Sequence, residues 1–62
     1  MGMMSDIEAI KEQIAKTEVI LAESLENYKK NPESYSARLL LLSTENYLSD
    51  LLRQLDGLKN RE

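Results

Sequence analysis

The stretch Lys29-Lys30-Asn31-Pro32-Glu33 decides the fold of this chain, because it interrupts two long helical patterns near their midpoint. Proline disfavours a helical conformation in the residue before it, so the first helix is predicted to stop at Lys30. Asparagine is a favoured N-cap and proline a favoured first helical residue, so a second helix is predicted to start at once. We therefore predict a helix over residues 5–30, a turn at 31–32 and a helix over 32–58.

Each predicted helix has apolar or small residues at alternating steps of three and four, which is the heptad pattern of a coiled-coil seam. The first helix carries in this pattern Ile7, Ile10, Ile14, Thr17, Leu21, Ser24 and Tyr28. The second helix carries Ala37, Leu41, Thr44, Leu48, Leu51, Leu55 and Leu58. A short connection makes neighbouring helices antiparallel, so the sequence predicts an all-α, coiled-coil-like hairpin in which residues whose numbers sum to about 62 face each other.

The two ends of the hairpin carry their own signals. Ser5, followed three residues later by Glu8, is the pattern of a capping box, which starts a helix. Gly57 is predicted to end the second helix in the left-handed conformation. Residues 1–4 are predicted to be a disordered or cloning-derived N-terminus, and residues 59–62 are predicted to fray.

The composition excludes several classes of function. The chain has no cysteine and no histidine, so it cannot form disulfides, Cys/His zinc sites or nucleophile–histidine pairs. A metal site made only of carboxylates would need an Asp/Asn-rich loop with a central Gly, which the sequence lacks, so we expect no metal, and we also expect no cofactor and no enzymatic activity. The net charge of −3 disfavours nonspecific nucleic-acid binding, which needs an excess of Lys and Arg. No apolar run approaches the ~18 residues of a membrane span, and the absence of cysteine fits a cytoplasmic protein.

More apolar residues are present than one seam between two helices can bury. The residues left over, which we predict to bind a protein partner, are Val19, Ile20, Tyr35, Leu39, Leu40, Leu42 and Tyr47. Exposed apolar patches of this kind mark interaction sites. Two interpretations stay open: the patch completes a homodimeric four-helix bundle, or it docks on a different protein such as a helical-repeat chaperone. A chain this short is marginal alone, so we expect a homodimer when no partner is present.

The segment Asn31-Pro32-Glu33-Ser34-Tyr35, followed by Leu39-Leu40-Leu41-Leu42, resembles the small co-chaperones of type III secretion needle subunits. Those proteins are helical hairpins whose second helix often opens with Pro-x-x-Tyr or Pro-x-x-Phe and continues into a leucine-rich stretch. The likeness covers roughly Glu18 to Leu58, and Pro32 and Tyr35 match the pattern of the family. It implies a non-enzymatic cytoplasmic protein that pairs with a larger, tetratricopeptide-like chaperone and keeps the needle subunit from polymerising.

Two other hairpin functions fit the sequence poorly. Small phosphatases of sporulation response regulators carry a Ser-Gln-x-x-x-Asp signature on the second helix, whereas the nearest stretch here is Ser43-Thr44-Glu45-Asn46-Tyr47. An RNA-binding bundle needs basic residues gathered on one exposed face, and here the lysines and arginines are interleaved with acids. A homodimeric regulator or adaptor that binds another helical protein remains the alternative to the co-chaperone function.

Overall fold

The computed structural model describes residues 5–60, which form two helices, α1 (Asp6–Lys30) and α2 (Tyr35–Asn60). The helices pack side by side after a short turn, which confirms the predicted all-α antiparallel hairpin. The hairpin measures 46 × 24 × 12 Å, so it is a single layer of two helices with two broad faces. The predictions for residues 1–4 and 61–62 lie outside the described residues, whereas Lys59 and Asn60 belong to α2.

The start of α1 follows the sequence prediction. The Ser5 hydroxyl oxygen accepts a hydrogen bond from the backbone N–H of Glu8 at 3.2 Å, and Ser5 itself has extended backbone angles. Asp6 and Glu8 lie in the first turn, and Lys29 and Lys30 lie in the last turn. Acids near the N-terminus and bases near the C-terminus both interact favourably with the helix dipole. The charges at its ends therefore favour the observed limits of α1.

The turn differs from the prediction, because α2 begins at Tyr35 rather than at Pro32. Asn31 does not cap α2; it ends α1, with its backbone N–H donating to the carbonyl of Asn27 at 3.0 Å. The Asn31 carbonyl then accepts from the N–H of Ser34 at 3.0 Å, which closes a reverse turn. Pro32 occupies the second position of this turn, where the fixed φ of proline is favourable. The predicted turn was therefore too short.

Ser34 is the residue that caps α2. Its hydroxyl oxygen accepts from the N–H of Ala37 at 3.2 Å, and its carbonyl accepts from the N–H of Arg38 at 3.2 Å. Two helices need non-helical residues to reverse the chain direction, and connections between bundled helices usually contain about 2–8 residues. The segment from Asn31 to Ser34 supplies this reversal, so the later of the two suitable capping residues is used.

The predicted C-cap at Gly57 is wrong. Gly57 lies inside α2, which continues to Asn60, and its φ is not positive. The next residue, Leu58, continues the heptad pattern and is half-buried. Extending the helix past the glycine keeps Leu58 in contact with α1 and leaves Lys59 in the last turn, where a cation is favoured.

Replacing Gly57 with Ala is expected to raise the free energy of unfolding by about 0.8 kcal/mol, because alanine has a higher helix propensity than glycine. A Cβ atom at this position would meet no other atom within 4 Å, so the added methyl group causes no clash. Urea denaturation followed by circular dichroism measures the change. A destabilised Gly57→Ala variant would contradict a helical conformation at this residue.

The heptad seam forms the contact between the two helices. Five described residues in this contact are buried, namely Thr17 and Ser24 of α1 and Ala37, Thr44 and Leu51 of α2. The larger seam residues are half-buried: Ile7, Ile10, Ile14, Leu21, Tyr28, Leu41, Leu48, Leu55 and Leu58. Most of the buried residues are small, from which we infer that the helices pack closely, and the large seam side chains keep part of their surface exposed beside the contact.

The two buried threonines satisfy their hydroxyl groups within their own helices. Thr17 Oγ1 donates to the carbonyl of Gln13, and Thr44 Oγ1 donates to the carbonyl of Leu40, both at 2.7 Å. This bond to the carbonyl four residues earlier is common for Ser and Thr in helices. The polar residues of the seam therefore require no partner across the interface.

The turn also fixes the register between the helices. Lys30 and Tyr35 flank it, so residues at the same level of α1 and α2 have numbers that sum to about 65, not 62. The shift of three residues equals the difference between the predicted start of α2 at Pro32 and its observed start at Tyr35. Small seam residues then face large ones, as in the pairs Thr17 with Leu48, Leu21 with Thr44, Ser24 with Leu41 and Tyr28 with Ala37.

Candidate protein-docking surfaces

Large apolar side chains remain exposed over much of the hairpin. Those at least 42% exposed are Val19, Ile20, Leu25, Tyr35, Leu39, Leu40, Leu42, Tyr47 and Leu52. This set contains all of the residues predicted from the sequence to bind a partner, and their binding stays a prediction. It also contains two leucines outside the predicted set, Leu25 and Leu52.

The two missed leucines share one position in the heptad. Leu25 directly follows the buried Ser24, and Leu52 directly follows the buried Leu51. A side chain at this position lies beside the seam rather than in it. In the sequence, the signal for these two exposed leucines is a seam residue directly followed by leucine. This pattern predicts exposure only when small seam residues let the helices pack closely, because the following leucine then lies outside the contact.

Helix geometry assigns the exposed residues to the two broad faces. Each residue advances about 100° around its helix, so the heptad position gives the direction of a side chain. Two antiparallel helices side by side are related by an approximate two-fold axis perpendicular to the broad faces. Residues with the same heptad position therefore lie on the same broad face in α1 and in α2.

One broad face, which we call the leucine face, combines half-buried and exposed residues. Its centre consists of half-buried seam residues of both helices: Ile14, Leu21, Leu41, Leu48 and Leu55. The exposed Leu25 and Leu52 lie next to this centre, and Leu42 and Tyr35 lie at its outer edge on α2. This face is the most continuous apolar surface of the hairpin.

The opposite broad face, which we call the tyrosine face, has a smaller apolar patch. It carries Ile20 from α1 and Leu40 and Tyr47 from α2, each about half exposed. Ile20 and Tyr47 lie at nearly the same level in the register set by the turn. Val19 and Leu39 are on neither broad face; they lie on the outer edges of α1 and α2. The predicted partner-binding residues are thus spread over several sides of the hairpin.

An open cavity of about 470 Å³ at the end away from the turn supports this assignment of faces. It is lined by Asp6, Ala9 and Ile10 of α1 and by Gln54, Gly57 and Leu58 of α2. These residues occupy the same three heptad positions in the two helices, as the approximate two-fold axis requires. Its lining includes one carboxylate, that of Asp6, and one amide, that of Gln54.

The charged side chains cover the remaining surface with both signs mixed. Lys16 Nζ lies 3.3 Å from Glu12, and Arg53 lies 3.5 Å from Asp50, in exposed ion pairs. Such pairs contribute about 0–1 kcal/mol each, so they influence solubility more than folding. Within residues 5–60, no group of three or more His, Cys, Asp or Glu residues is arranged to hold a metal ion. Neither helix of this segment is long and apolar enough to cross a membrane.

No protein-family model, curated protein or solved structure matches the chain.

Proposed function

We propose that this protein is a non-enzymatic interaction module that binds other protein helices. Its proposed role is that of a cytoplasmic co-chaperone, which pairs with a larger helical-repeat chaperone and holds a type III secretion needle subunit unpolymerised. The observation that supports this proposal is the leucine turn of α2, the four consecutive residues Leu39, Leu40, Leu41 and Leu42.

The leucine turn is apolar in every direction. Four consecutive residues span more than the 3.6 residues of one helical turn, so their side chains point to all sides of the helix. Leu41 is half-buried in the seam, whereas Leu39, Leu40 and Leu42 are 49%, 49% and 47% exposed. These three lie on the outer edge of α2, the tyrosine face and the leucine face. A helix that is apolar all round is normally buried, so this turn favours enclosure by a partner.

The directions of the three exposed leucines favour a concave partner. A flat surface can cover one broad face, but it cannot also cover the outer edge of α2. A groove made of stacked helices can contact several sides of an inserted helix, and helical-repeat proteins form concave surfaces of this kind. Burial of the leucines would contribute about 25 cal/mol per Å² of apolar area, less the cost of association.

The specific role as a co-chaperone rests on the resemblance at the start of α2. Tyr35, which matches the aromatic residue of the family pattern, is 77% exposed and therefore accessible to a partner. Pro32 lies in the turn that positions this tyrosine. The exposed leucine face also supports the alternative function, a homodimeric regulator or adaptor that binds another helical protein.

We expect the chain to form a defined complex when it is co-expressed with the tetratricopeptide-type chaperone and the needle subunit encoded in the same genome. Size-exclusion chromatography with light scattering measures the complex. Leu39→Asp is expected to weaken binding at least ~30-fold, because it places a charge at the centre of an apolar contact. Asn46→Asp is the matched control, since it adds the same charge to the same outer edge of α2 outside the leucine turn, and it should bind normally.

Circular dichroism separates loss of docking from loss of folding in this experiment. Leu39→Asp and Asn46→Asp should both retain the helical content of the wild-type chain. An unfolded Leu39→Asp variant would place Leu39 in the hairpin core and contradict its docking role. A chain that binds none of these chaperones would contradict the co-chaperone function, and unchanged binding by a folded Leu39→Asp variant would contradict the role of the leucine turn.

A further inference from the structure

We propose that the leucine face binds a second copy of this chain, so that two hairpins form a four-helix bundle, and that Glu18 and Glu45 keep this dimer weak. The proposal concerns the chain on its own and does not depend on the chaperone partner. It follows from the packing of the seam, the size of the leucine face and the charges beside it.

The packing of the seam leaves the large seam side chains on the leucine face only half-buried. The buried positions carry small residues such as Thr17 and Ala37, and each faces a large residue of the other helix in the register set by the turn. Because the helices are close, residues such as Leu21 and Leu48 cannot lie fully between them and are only half-buried. The same heptad position is affected in both helices, so all these side chains reach the leucine face.

A single hairpin has almost no core of its own. Among residues 5–60, the buried apolar residues are Ala37 and Leu51. Folded domains are normally built from at least two packed layers, and this hairpin is one layer only 12 Å thick. A second layer on the leucine face would complete the burial of its half-exposed leucines. This requirement selects the leucine face over the tyrosine face, whose apolar patch is smaller.

The area and the symmetry of the leucine face suit a second copy. A broad face of 46 × 24 Å offers on the order of 1,000 Å², more than the ~800 Å² that each partner contributes to a standard interface. Large seam residues recur every seven positions in both helices. The leucine face of a second copy, packed face to face on the first, therefore presents the same spacing of large side chains. Such a contact is isologous, which is the arrangement of most homodimers.

The charges beside the leucine face oppose this contact at one place. Glu18 and Glu45 occupy the same heptad position as Leu25 and Leu52, at nearly the same level in the middle of the hairpin. Two copies stacked in full register bring these glutamates together, whether the turns are at the same end or at opposite ends. The nearest bases at this heptad position are two helical turns away, Lys11 on α1 and Arg38 on α2. The glutamates therefore repel each other across the dimer.

Sedimentation equilibrium of the isolated chain over a wide range of concentration tests the proposal. We expect a reversible monomer–dimer equilibrium. Glu18→Gln/Glu45→Gln should tighten the dimer about fivefold, because it removes the repulsion between partly exposed carboxylates. Added salt should also tighten the wild-type dimer by screening this repulsion, and it should have little effect on the double variant. A weaker dimer in the double variant would overturn the role of the glutamates.

Matched neutral substitutions on the two faces locate the contact. Leu25→Asn and Leu52→Asn are expected to weaken the dimer at least ~30-fold, whereas Ile20→Asn and Leu40→Asn on the tyrosine face should leave it unchanged. Should the leucine-face variants unfold, the milder Leu52→Ala should still weaken the dimer about tenfold, with a thermal midpoint that depends on concentration.

The outcomes separate this proposal from the proposed function. A wild-type chain that stays monomeric at the highest concentration would overturn the dimer, and so would a dimer lost only in the tyrosine-face variants. If that monomer still bound the chaperone, the co-chaperone function would stand without the dimer. A dimer of the expected kind that binds no chaperone would support this proposal and contradict the co-chaperone function.

Discussion

Replacing Leu51 with Asp is expected to unfold the hairpin at neutral pH. Leu51 is 4% exposed and is the only large apolar side chain buried among residues 5–60. Removing a buried leucine costs about 2–5 kcal/mol, and placing an unpaired carboxylate in the contact between the helices adds further cost. A domain this small rarely has more than about 3–5 kcal/mol of stability, so the substitution is expected to cost more than the whole free energy of unfolding.

Circular dichroism and urea denaturation measure this effect against two related substitutions. Asn46→Asp adds the same charge to the outer edge of α2 and should remain folded. Leu48 belongs to the same heptad seam but is half-buried, so Leu48→Asp should destabilise the chain less than Leu51→Asp does. A Leu51→Asp variant with wild-type helical content and midpoint would contradict the assignment of Leu51 to the core.

The set of residues that forms the contact between the helices could be predicted from the sequence. All five residues that are buried within the segment 5–60, including the polar Thr17, Ser24 and Thr44, belong to the predicted seam. The heptad period identifies the side of a helix that faces its neighbour whatever the residues on it, so small and polar members are found together with leucines. The prediction succeeded here because a coiled-coil seam is a local, periodic property of each helix.

The turn could not be predicted from local preferences alone. Asn31 and Ser34 are both favoured N-caps, and each is followed by residues compatible with a helix. The choice between them depends on the geometry needed to bring α2 back along α1, which is a property of the whole hairpin. The same reason explains why α2 does not end at Gly57: the contact made by Leu58 outweighs the local preference of glycine for a helix end. An error of three residues at the turn then changed the predicted register.

The exposed surfaces could be predicted only in part. Residues such as Val19 and Leu39 lie far from the seam, so the heptad pattern alone indicates their exposure. Leu25 and Leu52 lie directly beside the seam, and their exposure depends on how closely the helices approach. We expect that distance to be set by the small residues Thr17, Ser24, Ala37 and Thr44 acting together.

Enlarging Ala37 to Leu is expected to lower the free energy of unfolding by about 1–3 kcal/mol, the usual cost of overpacking. Ala37 is 4% exposed, and the register set by the turn places it opposite Tyr28. The added atoms have no space in this close contact, so the helices must separate near the turn. Ser43→Leu is the matched control, because it adds a leucine at an exposed position of α2 outside the leucine face and should leave stability within about 0.5 kcal/mol of wild type.

The same substitution also tests whether close packing of the helices creates the docking surfaces. If α1 and α2 move apart near the turn, half-buried residues such as Leu41 can sink between them, and less apolar side chain remains on the leucine face. Ala37→Leu should then weaken self-association in sedimentation equilibrium, whereas Ser43→Leu should leave it unchanged, under conditions where both variants are fully helical. A stabilised Ala37→Leu variant with an unchanged dimer would mean that the small residues of the seam do not set the spacing of the helices, and the leucine face would need another explanation.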